Sequence, residues 1–151
     1  MKGTQGAIAP TLALLAVVAL PAVAETASAR FTVSAVVPVR VTLTALDEPA
    51  ELAISEADLE RGYKEVAATY RVSHNDRRGY LLRLSPRIGV TSAVEVRGLT
   101  SAVVMREETV ELLQSGAPGV RELVLGFRFL LDPAAEPGRY PLPVLVSAQP
   151  L

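Results

Sequence analysis

The stretch "RELVLGFRFLLD", residues 121–132, is the longest candidate β-strand in the chain. Every second residue in it is large and apolar, and these residues would share one face of a strand: Leu123, Leu125, Phe127, Phe129 and Leu131. A period of two residues is the pattern of a strand that buries one face and exposes the other. The stretch therefore predicts a long strand with one face against the core.

The same period recurs along most of the chain. It predicts further strands at 30–37, 39–46, 66–73, 80–84, 94–96, 102–107, 109–114 and 139–148. Turn-forming stretches separate them, such as "SGAPG" at 115–119 and "PAAEPG" at 133–138. Short strands that recur about every ten residues, without a long amphipathic helix, are typical of an all-β fold. We expect a single immunoglobulin-like β-sandwich.

Residues 47–62 interrupt this period. Pro49 opens a loop, and Ser55 with Asp58 three residues later is the pattern of a helix N-cap. Gly62 is suited to end such a turn. We expect a short turn or 3₁₀ segment here rather than a full helix.

Three prolines mark strand boundaries. Pro38 separates the candidate strands 30–37 and 39–46, and it predicts a bend or a switch between sheets. Pro141 and Pro143 lie on one side of the last candidate strand, where neither can donate a backbone hydrogen bond. This strand is therefore expected at the edge of a sheet.

The first 24 residues have the three-part pattern of a secretory signal peptide. Lys2 supplies a positive charge, residues 8–20 are uncharged and mostly apolar, and Ala22-Val23-Ala24 supplies small residues for cleavage. The apolar stretch is shorter than the roughly 20 residues that a membrane span needs. We expect a signal peptide at 1–24, a β-sandwich domain at 25–151, and export to the periplasm or cell surface with no membrane span after cleavage.

Composition excludes several classes of function. The chain has no cysteine, so disulfides, thiol catalysis and thiolate metal sites are ruled out. Its 15 basic and 16 acidic residues are interspersed, and no basic stripe predicts a nucleic-acid partner.

The single histidine lies in "SHNDRRG", residues 73–79. Asn75, Asp76 and Gly79 are residues that turns prefer, so we expect the bend of a hairpin here. Catalysis by His74 would need a nucleophile and an orienting carboxylate, and a metal would need more ligands. We predict no catalytic, metal or cofactor-binding residue, and a protein that is not an enzyme. Two arginines at the bend, 77 and 78, are either solvated or suited to an anionic surface.

Several stretches, taken in order, resemble a family. They are "ARFTVSAVVPVRVTL" (29–43), "YRVSHND" (70–76) followed by "GYLLRLS" (79–85), and "FRFLLDPAAEPGRYPLPVLVSA" (127–148). This order resembles the cysteine-free pilins of chaperone–usher systems of the alternate, colonisation-factor type. More loosely, it resembles other secreted bacterial domains of immunoglobulin-like shape.

The resemblance implies a mechanism. The fold of a pilin lacks one strand, and the N-terminal extension of the next subunit fills the open groove by β-strand addition. The matching positions here are 25–37, where Phe31, Val33, Ala35 and Val37 would enter the groove of a neighbour. The implied partners are other copies of the chain or a periplasmic chaperone.

Two functions therefore remain open. One is a self-contained secreted or periplasmic β-sandwich, not an enzyme, with a binding or accessory role. The other is a pilin-like subunit of a surface fibre, assembled by donor-strand exchange through residues 25–37. The alternation of 30–37 fits both, because a strand of the protein's own sandwich needs the same side-chain pattern.

Overall fold

A computed structural model describes residues 31–87 and 89–151 of the chain. Residues 36–151 form one compact unit, whereas residues 31–35 lie outside it and carry neither helix nor strand. The elements of the described residues are β1 (Val41–Asp47), β2 (Glu51–Ile54), α1 (Glu56–Arg61), β3 (Tyr63–His74), β4 (Tyr80–Pro86), β5 (Thr91–Arg97), β6 (Val103–Met105), β7 (Val110–Gln114), β8 (Gly119–Leu131), β9 (Gly138–Pro141) and β10 (Val144–Gln149).

The largest sheet is built around β8, the strand that contains the opening stretch. Its order is β1-β3-β8-β5-β6, and β8 pairs antiparallel with β3 along nearly its whole length. The predicted apolar face is the buried one: Leu125, Phe127, Phe129 and Leu131 are buried, and Leu123 is half-buried. The prediction for this strand is confirmed.

Two smaller sheets complete the unit, with strand orders β10-β4-β7 and β2-β9. Buried residues from all three sheets belong to one hydrophobic cluster, which includes Leu52 of β2, Tyr70 of β3, Leu82 of β4 and Val146 of β10. Strands dominate the described residues and the helical content is six residues, so the all-β prediction is confirmed.

The interruption at 47–62 contains more structure than we predicted. It includes the strand β2, whose Leu52 and Ile54 are buried, and α1 is an α-helix rather than a 3₁₀ turn. The predicted boundaries of the helical piece are confirmed. Ser55 caps its start, and Gly62 ends it in the left-handed conformation with φ 77°.

The last predicted strand, 139–148, is wrong as a single element. It is divided into β9, which pairs with β2, and β10, which pairs with β4 in another sheet. The division falls at Leu142 and Pro143, where proline prevents a continuous ladder. The expected edge position is confirmed for β10, which ends its sheet.

The prediction of a strand at 30–37 is also wrong over its described part, residues 31–37. Residues 31–40 form no strand, and the first strand of the unit begins at Val41. Alternation shows that a segment is able to pair, but it does not supply the neighbouring strand with which to pair. The predicted signal peptide and Arg30 lie outside the described residues. Within the described ranges, none of the helical structure has the length and apolarity needed to cross a membrane.

Asp58 explains why the short helix forms at this position. Its carboxylate is buried and accepts hydrogen bonds from the backbone and hydroxyl of Ser55, at 3.0 and 2.7 Å, and from Nζ of Lys64 at 2.9 Å. It also pairs with Arg61. The Ser55 hydroxyl, then Lys64, hold the pKa of Asp58 well below its usual range. A helix of six residues, too short to be stable alone, is thereby anchored.

We predict that Asp58→Asn lowers the free energy of unfolding at pH 7 by about 1–3 kcal/mol, because a buried set of charge-assisted hydrogen bonds is lost. The folded-state pKa of Asp58 is depressed, so its contribution is present above the unfolded pKa of about 3.9 and lost as pH falls further. Urea unfolding at pH 7 and pH 3 measures this. The difference between wild type and variant should shrink at pH 3. Glu60→Gln, an exposed change on the same helix, is the control and should have little effect. An equal loss at both pH values would contradict the account.

Candidate strand-addition site

Residues 31–37 present an unusual run of exposed apolar side chains. Phe31, Val33 and Val36 are each at least 90% exposed, and Val37 is 75% exposed. Scattered exposed apolar residues are ordinary, but a contiguous run that pairs with no strand of the described chain is typical of a binding segment. The structure places the predicted positions Phe31, Val33, Ala35 and Val37 together in this run, and all four are exposed.

The chain immediately after this run is fixed to the β3–β4 turn by one side chain. The Asn75 amide oxygen accepts a hydrogen bond from the Arg40 backbone N–H at 2.7 Å. Its amide nitrogen donates to the Pro38 carbonyl at 2.9 Å, and its own backbone N–H donates to the Arg40 carbonyl at 3.2 Å. Sequence reasoning assigned Asn75 only to a turn. It missed this contact because nothing local in the sequence indicates a partner 35 to 37 residues away.

Free sheet edges are the second part of a strand-addition site. The large sheet ends at β1 and β6, and the three-stranded sheet ends at β10 and β7. β1 and β10 are the longest of these four edge strands, with seven and six residues. They approach within 8 Å between Cα atoms, yet no ladder joins them. On its outer side, neither strand pairs with another strand of the described chain.

Both edge strands carry apolar side chains that the core covers only in part. Val41 and Leu43 of β1 and Ala148 of β10 contact the core cluster but remain half-buried. An added strand would gain backbone hydrogen bonds and would also cover these side chains. This combination is what β-strand addition requires of an acceptor.

The histidine turn is held by contacts among its own residues and with the core. His74 is 5% exposed, its Nδ1 lies 3.0 Å from the Asp76 carbonyl oxygen, and its ring lies 5.2 Å from that of Tyr80. Asp76 pairs with Arg78 at 2.9 Å, and this hydrogen bond lowers the pKa of its carboxyl. The side chains of this turn are thus engaged with each other and with the core.

The predicted turn is confirmed, but the predicted hairpin is wrong. β3 and β4 follow each other in the chain and belong to different sheets. Both edges of β3 are occupied, one by β1 and the other by β8, so β4 has no edge of β3 with which to pair. The turn therefore carries the chain from one sheet to another.

A group of charged residues covers the outer face of the large sheet. Arg128 pairs with Glu65 at 2.7 Å, and Arg97 pairs with Glu95 at 2.9 Å, around a shallow cavity of about 320 Å³ above Gly126. These charges neutralise one another, so the cavity has no free group to hold a charged ligand.

Across 31–87 and 89–151, no group of three histidine or carboxylate side chains lies close enough together to bind a metal ion.

Comparison with known protein families, with curated proteins and with solved structures gives no match for this chain.

We predict that Asn75→Ala frees residues 38–40 from the turn. Two side-chain hydrogen bonds are lost, each worth about 1 kcal/mol, so opening of this segment should increase by roughly thirtyfold. Trypsin cleavage after Arg40, followed by mass spectrometry, measures the change. Arg77→Ala, in the same turn, is the control and should leave the cleavage rate at Arg40 unchanged. Equal cleavage in wild type and Asn75→Ala would show that this side chain does not hold the segment.

Proposed function

We propose that the protein is a structural subunit of a surface assembly, in which residues 25–37 of one copy complete a sheet of another copy by β-strand addition. The observation that carries this proposal is the exposed, alternating segment 31–37, which pairs with no strand of the described chain. We further propose an immunoglobulin-like β-sandwich as the fold of the subunit, since the two larger sheets share one core. The signal-like residues 1–24 support export.

The dimensions of the segment fit the free edges. A strand rises about 3.3 Å per residue, so seven residues span roughly 23 Å. β1 also has seven residues and β10 has six, so residues 31–37 match either edge along its length. In a strand, Phe31, Val33, Ala35 and Val37 share one face, and that face would cover the half-buried edge of the core.

A stable added strand needs both the burial of its apolar side chains and the hydrogen bonds of its backbone. Full burial of Phe31, Val33 and Val37 would contribute roughly 1.5–3 kcal/mol each. Ordering seven residues costs about 1–2 kcal/mol per residue, which is as large as that gain or larger. The ladder hydrogen bonds, at about 1 kcal/mol each, then supply the net stability. A long free edge such as β1 or β10 is therefore a better acceptor than the three-residue β6.

A second function has one observation in its favour. Residues 36–151 form a compact unit that does not include residues 31–35. A unit that is stable by itself would also serve as a self-contained secreted β-sandwich with a binding role. The two functions differ in whether copies of the chain assemble through the N-terminal segment.

The deciding experiment compares the chain from residue 25, the form expected after signal cleavage, with a chain that begins at Pro38. The shorter chain keeps the Pro38–Asn75 hydrogen bond. Size-exclusion chromatography should show oligomers for the longer chain and a monomer for the shorter one. Isothermal titration calorimetry should show that the monomer binds a peptide of residues 25–37. Thermal unfolding should show a higher melting temperature for the complex than for the monomer alone. A monomeric longer chain together with no peptide binding would reject strand addition.

We predict that only one face of the segment matters for assembly. Phe31→Asp or Val33→Asp should weaken oligomerisation at least tenfold, because each change removes about 1.5–3 kcal/mol of apolar burial and places a charge at the core. Thr32→Asp and Ser34→Asp, on the opposite face, are the matched controls and should assemble nearly as wild type. Analytical ultracentrifugation measures the four variants. Equal effects at odd and even positions would argue against a paired strand.

A further inference from the structure

The strand register defines two ends of the unit 36–151. At one end of the large sheet, His74 pairs with Val41 on one side and with Gly119 on the other. From this end, residues 75–79 lead to the start of β4, and residues 115–118 join the end of β7 to the start of β8. Both links therefore lie at the same end of the unit.

This end is basic, and we name it the basic end. It carries Arg40, Arg77, Arg78 and Arg121, all exposed, together with the carboxylate of Asp76. Glu122, beside Arg121, is paired with Arg71. Arg78 pairs with Asp76, and the guanidinium of Arg121 lies 5.0 Å from the ring centroid of Tyr80. Arg40 and Arg77 have no ion-pair partner within residues 31–87 and 89–151. Positive charge is therefore left uncompensated at this end.

The opposite end, which we name the acidic end, is formed by α1 and the links 106–109 and 132–137. α1 leads into Tyr63, at the far end of β3, and the link 106–109 leads into β7 at its far end. Six carboxylates here have no ion-pair partner among the described residues: Glu56, Glu60, Glu107, Glu108, Asp132 and Glu136. The basic side chains at this end that also lack such a partner are Arg87 and Arg106, so negative charge is in excess.

The N-terminal segment joins the unit at the basic end. Pro38 and Arg40 are hydrogen-bonded to Asn75 in the link 75–79, which belongs to that end. Pro38, Val39 and Arg40 are the only residues between the segment 31–37 and β1. Three extended residues span about 10 Å at most. A copy that receives the segment is thus held within about one Debye length, roughly 8–10 Å, of the basic end of the donor.

We propose that copies of this chain dock end to end, with the basic end of the donor against the acidic end of the acceptor. The inference rests on the proposed function: a segment added antiparallel to β10 would end beside Val144, which pairs with Pro86 at the acidic end. At this separation charge complementarity raises the rate of association and selects the orientation. The reverse orientation would place two clusters of arginines against each other. A second copy is the partner that fits, since it supplies an acidic surface at the distance the linker sets.

The test uses two double variants of the chain from residue 25. Arg40→Glu with Arg77→Glu makes the basic end acidic, and Glu107→Arg with Glu108→Arg makes the acidic end basic. Each variant alone should assemble at least tenfold more slowly than wild type at low ionic strength, by light scattering. A mixture of the two variants should recover most of the wild-type rate, because alternating copies restore opposite charges at every contact. At 0.5 M NaCl the differences should largely disappear.

The control is Arg97→Glu with Arg83→Glu, which makes the same change in net charge at exposed positions in the middle of the large sheet and in the middle of β4. It should assemble at a rate close to wild type. Binding of peptide 25–37 to the chain from Pro38 is measured for each variant and separates the two proposals. If the peptide binds but charge reversal leaves the rate unchanged, or the mixture fails to recover, end-to-end docking is wrong and strand addition stands. If the peptide does not bind, both are wrong.

Discussion

The antiparallel pairing of β3 with β8 is the constraint on which the rest of the structure depends. Twelve residue pairs, from Tyr63 with Leu130 to His74 with Gly119, join strands that are separated by more than 40 residues of chain. This register aligns Tyr70 and Val72 on the same buried face as Leu125 and the two phenylalanines of β8. A slip of one residue would turn all of these side chains to solvent, so the core itself fixes the register.

The same pairing decides where the other strands go. With β8 on one side of β3, β1 takes the other side and becomes an edge of the sheet. β4 is then excluded from this sheet, although it follows β3 directly, and it pairs with β7 and β10. The turn at 75–79 must cross between sheets for that reason. Its Asn75 is thereby placed beside Pro38 and Arg40, which fixes the point where the N-terminal segment leaves the unit.

The sequence predicted correctly which face of a strand is buried, but it did not predict which strands pair with each other. In β8, and in β4 with its buried Tyr80, Leu82 and Leu84, the alternation identifies the buried side because apolar burial depends on the residues themselves. The pairing of β3 with β1 and β8 instead of β4 depends on distant strands, and no local pattern contains it. The capped turn at Ser55 was predictable because all its groups lie within a few residues. The strand β2, between a proline and a charged helix, is too short to show a period.

In the candidate site, too, local features were predictable from the sequence and contacts between distant residues were not. The apolar face of 31–37 was visible in the sequence, because it is a local pattern. Its lack of a partner within the described chain, the half-covered edge of β1 and β10, and the contact between Asn75 and the linker all required the structure. None of these features follows from the others through the sequence alone, because each joins residues that only the fold brings together.

The position of the linker also suggests an order of events in assembly. Charges act over several ångströms in water, whereas ladder hydrogen bonds form only when donor and acceptor are about 3 Å apart. In the proposed assembly the charged ends would therefore meet before the segment 31–37 pairs. Asn75 holds residues 38–40 at the basic end, so an approach guided by the arginines would deliver the segment close to the acceptor. Because the linker is short and fixed at one end, the search for the correct edge is confined to a small volume, which raises the effective concentration of the segment. The hydrogen bonds of Asn75 thus connect the two parts of the proposal: they place the strand that is donated beside the charges that would guide it.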